Sequence, residues 1–149
     1  MKPTQIIVIT GDTEKGLNIL NQLKDRNYAV KLITGFGNIS KGWLYGVDHE
    51  NKGRSFPVER FGLAFVDQRT ANGFVPICRS GKRIVSLLHL LMPCVAICGD
   101  AANNEKLINV GATYQLGQDE LPSFIEDSLP TLVPRKRRRK PVAKALTGS

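Results

Sequence analysis

The sequence predicts a doubly wound α/β sandwich built on a five-stranded parallel sheet. Two observations carry this. Short apolar, β-branched runs without polar alternation recur along the chain, as in strands buried on both faces. Segments of helical period, with capping residues at their starts, separate most of them.

The first run is Gln5–Thr10 (QIIVIT). From Glu14 to Asn27, Leu17, Leu20 and Leu23 recur at helical spacing, Ile19 widens the stripe, and Asp12 or Thr13 is placed to cap. Ala29–Thr34 (AVKLIT) is the second strand. Strand, helix and strand over about 30 residues form a βαβ unit. Gly35–Glu59 is different: it holds five glycines and the only Trp, with little helical period. Lys41–Val47 is expected to pair with Ser55–Val58 around Asn51-Lys52-Gly53, a hairpin-like excursion read foremost as an insertion without a ligand. Phe61–Val66 is the third strand, ending in Asp67, and Gln68–Gly73 is a polar loop. A helix is expected over Ser80–Leu91, with Ser80 as cap and Pro93 beyond its end. Cys94–Cys98 is the fourth strand, followed by Gly99-Asp100. Ala101–Val110 is a helix closed by Gly111, Thr113–Leu116 the fifth strand, and Asp119–Leu129 the last helix, with Asp119 as cap and Pro122 in its first turn. Residues 1–133 are thus expected to form one domain, 35–59 being an excursion that replaces or precedes its second helix, and 134–149 a disordered basic tail.

At 149 residues and 42% hydrophobic content the chain suffices for one domain with a core. No apolar run reaches the roughly 18–20 residues of a membrane span; the longest, Ile84–Cys98, is broken by His89 and Pro93. Met1-Lys2-Pro3-Thr4 leads into a strand without a signal-peptide pattern. The odd set Cys78, Cys94 and Cys98 fits a reducing compartment, so the expected location is cytoplasmic and without a membrane partner. Cys94 and Cys98, with His89, are a weak metal pattern; buried thiols in or beside a core strand are the preferred reading.

The net charge of +8 is concentrated at one end. Arg135, Lys136, Arg137, Arg138, Arg139 and Lys140, with Lys144, carry seven positive charges and leave residues 1–134 at +1. This Pro-flanked segment is too polar to fold alone and is expected to be a flexible arm that binds nucleic acid through phosphates without sequence preference, a nuclear-targeting signal or a solubilising end being the alternatives. No aromatic residue follows Phe124, which argues against base stacking by the arm.

The strand endings resemble response-regulator receiver domains, a flavodoxin-like family with strand order 2-1-3-4-5 and chemistry at the carboxyl ends of strands 1, 3 and 4. Asp12 follows strand 1, Asp67 ends strand 3, and Gly99 ends strand 4. Gly111-Ala112-Thr113-Tyr114-Gln115-Leu116 is similar to the Gly-Ala-x-x-Tyr-Leu stretch that enters strand 5 of receivers. The likeness spans about residues 4–130, except 35–59. It implies Asp12 as a Mg²⁺ ligand and Asp67 as phospho-acceptor, since a carboxylate attacks a dianionic phosphoryl donor only when a cation offsets the charge.

The chain also departs from the family. Gly11 stands in one of the two adjacent acidic places after strand 1. Gly99 is read at the place of the strand-4 Thr or Ser, and Gln118 or a neighbour at that of the strand-5 Lys. The resemblance therefore implies a degenerate receiver used for binding rather than phosphotransfer. Its usual contact face would be the last helix, the last strand and the preceding helix, roughly Asn103–Ser128. Two alternatives stand beside it. One is a phosphorylatable receiver with Asp67 as acceptor. The other is a small Mg²⁺-dependent enzyme or nucleotide binder using Asp12, Asp67 and Asp100, if those carboxylates converge on a metal; otherwise Asp100 caps the helix from Ala101. Ser80-Gly81-Lys82-Arg83 fails as a phosphate loop because Pro76 and Arg83 occupy required positions. Gly35-Phe36-Gly37 fails as a dinucleotide fingerprint because Ser40 stands where the third Gly belongs. His49 and His89 form no readable catalytic arrangement.

Overall fold

The computed structural model describes residues 3–68, 81–117 and 119–135. In chain order the elements are β1 (Gln5–Ile9), α1 (Thr13–Asp25), β2 (Ala29–Ile33), β3 (Gly35–Ser40), β4 (Trp43–Val47), β5 (Gly53–Pro57), a 3₁₀ turn (Val58–Arg60) and β6 (Phe61–Val66). Then follow α2 (Gly81–Leu88), β7 (Cys94–Ala96), α3 (Ala101–Asn109), β8 (Tyr114–Gln115), α4 (Leu121–Asp127) and α5 (Leu129–Leu132).

The main sheet has the order β2-β1-β6-β7-β8, with every pairing parallel. Counting only its own strands, this is the expected order 2-1-3-4-5. Successive side chains of a strand point to opposite faces, so each strand feeds two cores. Ile6, Val8, Leu63, Phe65 and Val95 pack with Ile19 and Leu23 of α1 and Phe124, Ile125 and Leu129 of α4 and α5. Ile7, Ile9, Ala64, Val66, Cys94 and Ala96 pack with Ile84, Val85 and Leu88 of α2 and Leu107 of α3. The flavodoxin-like three-layer sandwich read from the sequence is the observed architecture.

Between β2 and β6 there is no α-helix. β3, β4 and β5 form an antiparallel sheet that buries Phe36 and Leu44 against Ile7, Ile9, Ile33 and Phe61. It covers the sheet face that a crossover helix would otherwise cover. The expected hairpin corresponds to β4 and β5, paired from Trp43↔Pro57 to Val47↔Gly53. The third strand, β3, was not expected, because Gly35 and Gly37 dilute its alternation and a register shift between Phe36 and Asn38 interrupts it.

Two other helices differ from expectation. The segment expected to run to Leu91 stops at Leu88, leaving Leu90 83% and Leu91 55% exposed; Ser80 lies outside the described residues. The expected last helix over Asp119–Leu129 is two helices, α4 and α5. Pro130 lacks an N–H and would crowd the carbonyl four residues back, so α4 ends and α5 restarts with Pro130 in its first turn. Asp119 does not cap; the Glu120 carboxylate instead accepts the Gly117 N–H.

The β4–β5 turn is held by a buried carboxylate. Asp48 accepts from the Glu50 and Lys52 N–H groups at 2.8 and 3.0 Å, and from Arg54 Nε at 2.7 Å. The Lys52 amide, above all, and Arg54 hold its pKa down at about 2, against the opposing effect of burial. A depressed folded-state value stabilises above the unfolded pKa of about 3.9 and is lost as pH falls through the folded one. Asp48→Asn is therefore expected to lower Tm at neutral pH. Its deficit relative to wild type should shrink between about pH 4 and pH 2, as read by thermal melts across that range.

Candidate functional site at the carboxyl ends of the strands

The carboxyl ends of β1, β6 and β7 meet at Asp67. The Asp67 N–H donates to Ile9 O at 2.9 Å and the Ile97 N–H to Val66 O at 3.0 Å, extending both ladders just past the strands. Thr10, fully buried, is the polar terminus of the first apolar run. Its hydroxyl donates to Asp67 Oδ2 at 2.9 Å. Gln68 N–H donates to Oδ1 at 2.8 Å.

The third partner comes from α1. Lys15 Nζ lies 3.1 Å from Asp67 Oδ2 and also donates to the Ile97 carbonyl. Gly16 brings the helix close enough for this reach: a Cβ there would lie 2.7 Å from Leu32 Cδ1 and 3.0 Å from Thr10 Cγ2. The pair is partly shielded, its side chains 29% and 14% exposed. One ammonium thus ties α1 to the ends of β6 and β7.

The other two predicted ligands face their own helices. Asp12 caps α1, its Oδ1 accepting the Lys15 N–H at 3.1 Å. Asp100 caps α3, accepting the Asn103 N–H and Asn103 Nδ2, each at 2.8 Å. The Asn103 amide holds the Asp100 pKa below the usual carboxylate range. Among the described residues, no three His, Cys, Asp or Glu side chains are grouped to hold a metal ion, so Asp12, Asp67 and Asp100 are not brought together, nor are His89, Cys94 and Cys98. The donor set does not fit Mg²⁺, which takes a near-octahedral shell of oxygens, because Asp67 is the one carboxylate of the three not spent on capping a helix. Both Asp67 oxygens already accept hydrogen bonds, one of them from a cation.

At the end of the fourth strand Cys98 lies near enough to Asp67 to feel its charge. Burial and then the Asp67 charge push its thiol up to about 11, so it stays protonated at neutral pH. Its N–H donates to Asn104 Oδ1 at 2.8 Å, while Asn104 Nδ2 donates to Leu116 O at 3.1 Å. This buried amide fixes the spacing of β7 and β8. Cys94 is fully buried in β7, its thiol pushed up to about 12 by burial. Gln118 lies outside the described residues.

An open groove of about 890 Å³ runs from this site between α1 and α4, lined by Asp12, Lys15, Gln22, Cys98, Asp119 and Leu121 among others. Of the predicted tail residues only Arg135 is described; its guanidinium sits 5.9 Å from the centroid of the Tyr28 ring, a cation–π contact. Lys136, Arg137, Arg138, Arg139 and Lys140 lie outside the described residues.

Sequence reading missed Thr10 and Lys15. A cation in the first turn of a helix opposes the macrodipole, and that anomaly at Lys15 was the available signal for a carboxylate partner.

Two substitutions test this geometry. Thr10→Val removes a buried donor to Asp67 and the acceptor of the Asp12 N–H, which lies at 3.2 Å. The expected loss is about 1–3 kcal/mol in urea unfolding. At Gly81 a Cβ would lie 2.1 Å from the Asp67 carbonyl oxygen. Gly81→Ala is expected to cost at least about 1–3 kcal/mol by the same measurement, because the obstruction is backbone and cannot rotate away.

No family model and no curated protein sequence matches the chain. Solved structures do. A CheY-like response regulator receiver domain from Methanospirillum hungatei superposes with TM-score 0.58 at 16% identity, covering 88% of this chain and 94% of the other. The non-phosphorylated HemR receiver domain from Leptospira biflexa gives TM-score 0.58 at 18% identity, over 93% and 99%. A response regulator from Burkholderia pseudomallei, solved with a phosphorylated aspartic acid and a calcium ion, gives 0.56 at 18%, over 97% and 71%. The described residues have the fold of response-regulator receiver domains.

Proposed function

We propose that the protein is a receiver-shaped regulatory module that acts by protein contact rather than by phosphotransfer. The observation that carries this reading is the engagement of Asp67: its Oδ2 accepts from both the Lys15 ammonium and the Thr10 hydroxyl, and its Oδ1 from the Gln68 N–H. Cys98 and Gly99 supply no hydroxyl at the end of strand 4. The Lys15 ammonium would have to give up Oδ2 before a phosphoryl donor could reach it, and the hydroxyl that does touch Asp67, that of Thr10, comes from the end of the first strand.

Asn103–Ser128, formed by α3, β8 and α4, is the contact face that the resemblance suggests. Among the described residues, the exposed large apolar side chains lie elsewhere, at Trp43 and Tyr45 on β4 and at Leu90 and Leu91 after α2. The small sheet and the end of α2 therefore belong in the same mutational scan for partner binding. The tail is proposed to add non-specific affinity for nucleic acid.

Incubation with acetyl phosphate or beryllofluoride and Mg²⁺ is expected to leave Asp67 unmodified by mass spectrometry and fluorine NMR. An adduct that disappears in Asp67→Asn would establish the phosphorylatable receiver instead. For the tail, deletion of residues 134–149 is expected to abolish low-salt binding to DNA and RNA. The intact chain should show a log–log salt slope of about −4 to −5, from six phosphate contacts. Equal affinity of the two forms would remove the nucleic-acid role.

A further inference from the structure

We propose that Lys15 is the resident cation of the Asp67 site, an ammonium built into the chain where a receiver fold would use a divalent ion, so that the site's charge balance is independent of metal. Nζ engages a carboxylate oxygen of Asp67 and the backbone carbonyl of Ile97. A carboxylate and a backbone carbonyl are the kinds of oxygen that a hard cation selects. A divalent ion approaching Asp67 would meet a fixed positive charge and would have to displace it.

Three features support the assignment. Lys15 occupies the first turn of α1, where the helix dipole disfavours a cation and an anionic partner compensates. Gly16 permits the close approach of that turn to the strand ends. Asp12 and Asp100, the carboxylates that could have joined Asp67 around a metal, each accept from their own helix. The site therefore holds its negative charge against a positive one that cannot dissociate. Its shape should not respond to the Mg²⁺ concentration around it.

The inference rests on the geometry at Asp67 and not on the proposed mode of signalling. A Mg²⁺-binding wild type would leave the protein-contact reading standing, and failure to find a partner would leave the inference standing. The test uses the full-length chain. In ¹⁵N amide spectra, Mg²⁺ up to millimolar concentration is expected to produce no saturable shifts at Thr10, Asp12, Gln68 or Cys98. Lysine acylation followed by mass spectrometry should find Lys15 modified more slowly than exposed Lys41. That protection should be unaffected by Mg²⁺ and lost in Asp67→Asn. Lys15→Met is expected to gain saturable Mg²⁺ shifts at the same amides. Saturable shifts in the wild type, acylation of Lys15 as fast as that of Lys41, or a folded Lys15→Met chain blind to Mg²⁺ would each overturn the proposal. Should Lys15→Met fail to fold, the two wild-type measurements decide the question alone.

Discussion

A parallel sheet has to be covered on both faces, and the rest of this structure follows from that constraint. Its backbone is paired within the sheet, but each strand presents apolar side chains upward and downward alike. Full burial of one such side chain is worth about 1.5–3 kcal/mol, so an uncovered face would forfeit several such increments. α1, α4 and α5 cover one side and α2 and α3 most of the other. The remaining area lies under Phe36 and Leu44, and a second, antiparallel sheet takes it. The cover needs apolar side chains at the right depth, and a helix is only the commonest way to supply them.

Packed in this way, the sheet brings a carboxylate and an ammonium together at its carboxyl end. Taken alone, a partly shielded pair of this kind contributes little net stability, because desolvation opposes the Coulomb attraction. Removing one member is a different matter, since the other then keeps its charge in a shielded place without a partner. The Lys15–Asp67 pair is therefore better understood as a clasp whose release is costly than as a source of stability. It joins the start of α1 to the ends of two strands.

Much of this was legible in the sequence, for identifiable reasons. The strands β1, β2, β6 and β7 announce themselves because burial on both faces demands continuous apolar, β-branched runs. Asp100 was readable as a cap because the spacing to Asn103 is local, and Asp12 because Lys15 N–H lies three residues on. What escaped depends on distance along the chain. Lys15 and Asp67 are 52 residues apart, and Ile97 is 82 residues from Lys15. Nothing local pairs them, although a lysine at the positive end of a helix hinted at a missing anion. β3 escaped because its glycines and register shift blur the alternation that identifies a strand. Cys98 was not singled out for this site because the apolar run does not reveal which of its last residues comes within reach of the Asp67 charge.

The small sheet also brings a hazard that a helix would not. An α-helix satisfies its own backbone, whereas β3 and β5 are the outer strands of their sheet and present polar edges to whatever passes. The sequence blunts both. The irregularity between Phe36 and Asn38 bends β3 out of register with any straight incoming strand. On β5, Pro57 removes a donor from its end. The chain has in effect traded helical self-sufficiency for two borders, and guards each against unwanted strand pairing with other copies of itself.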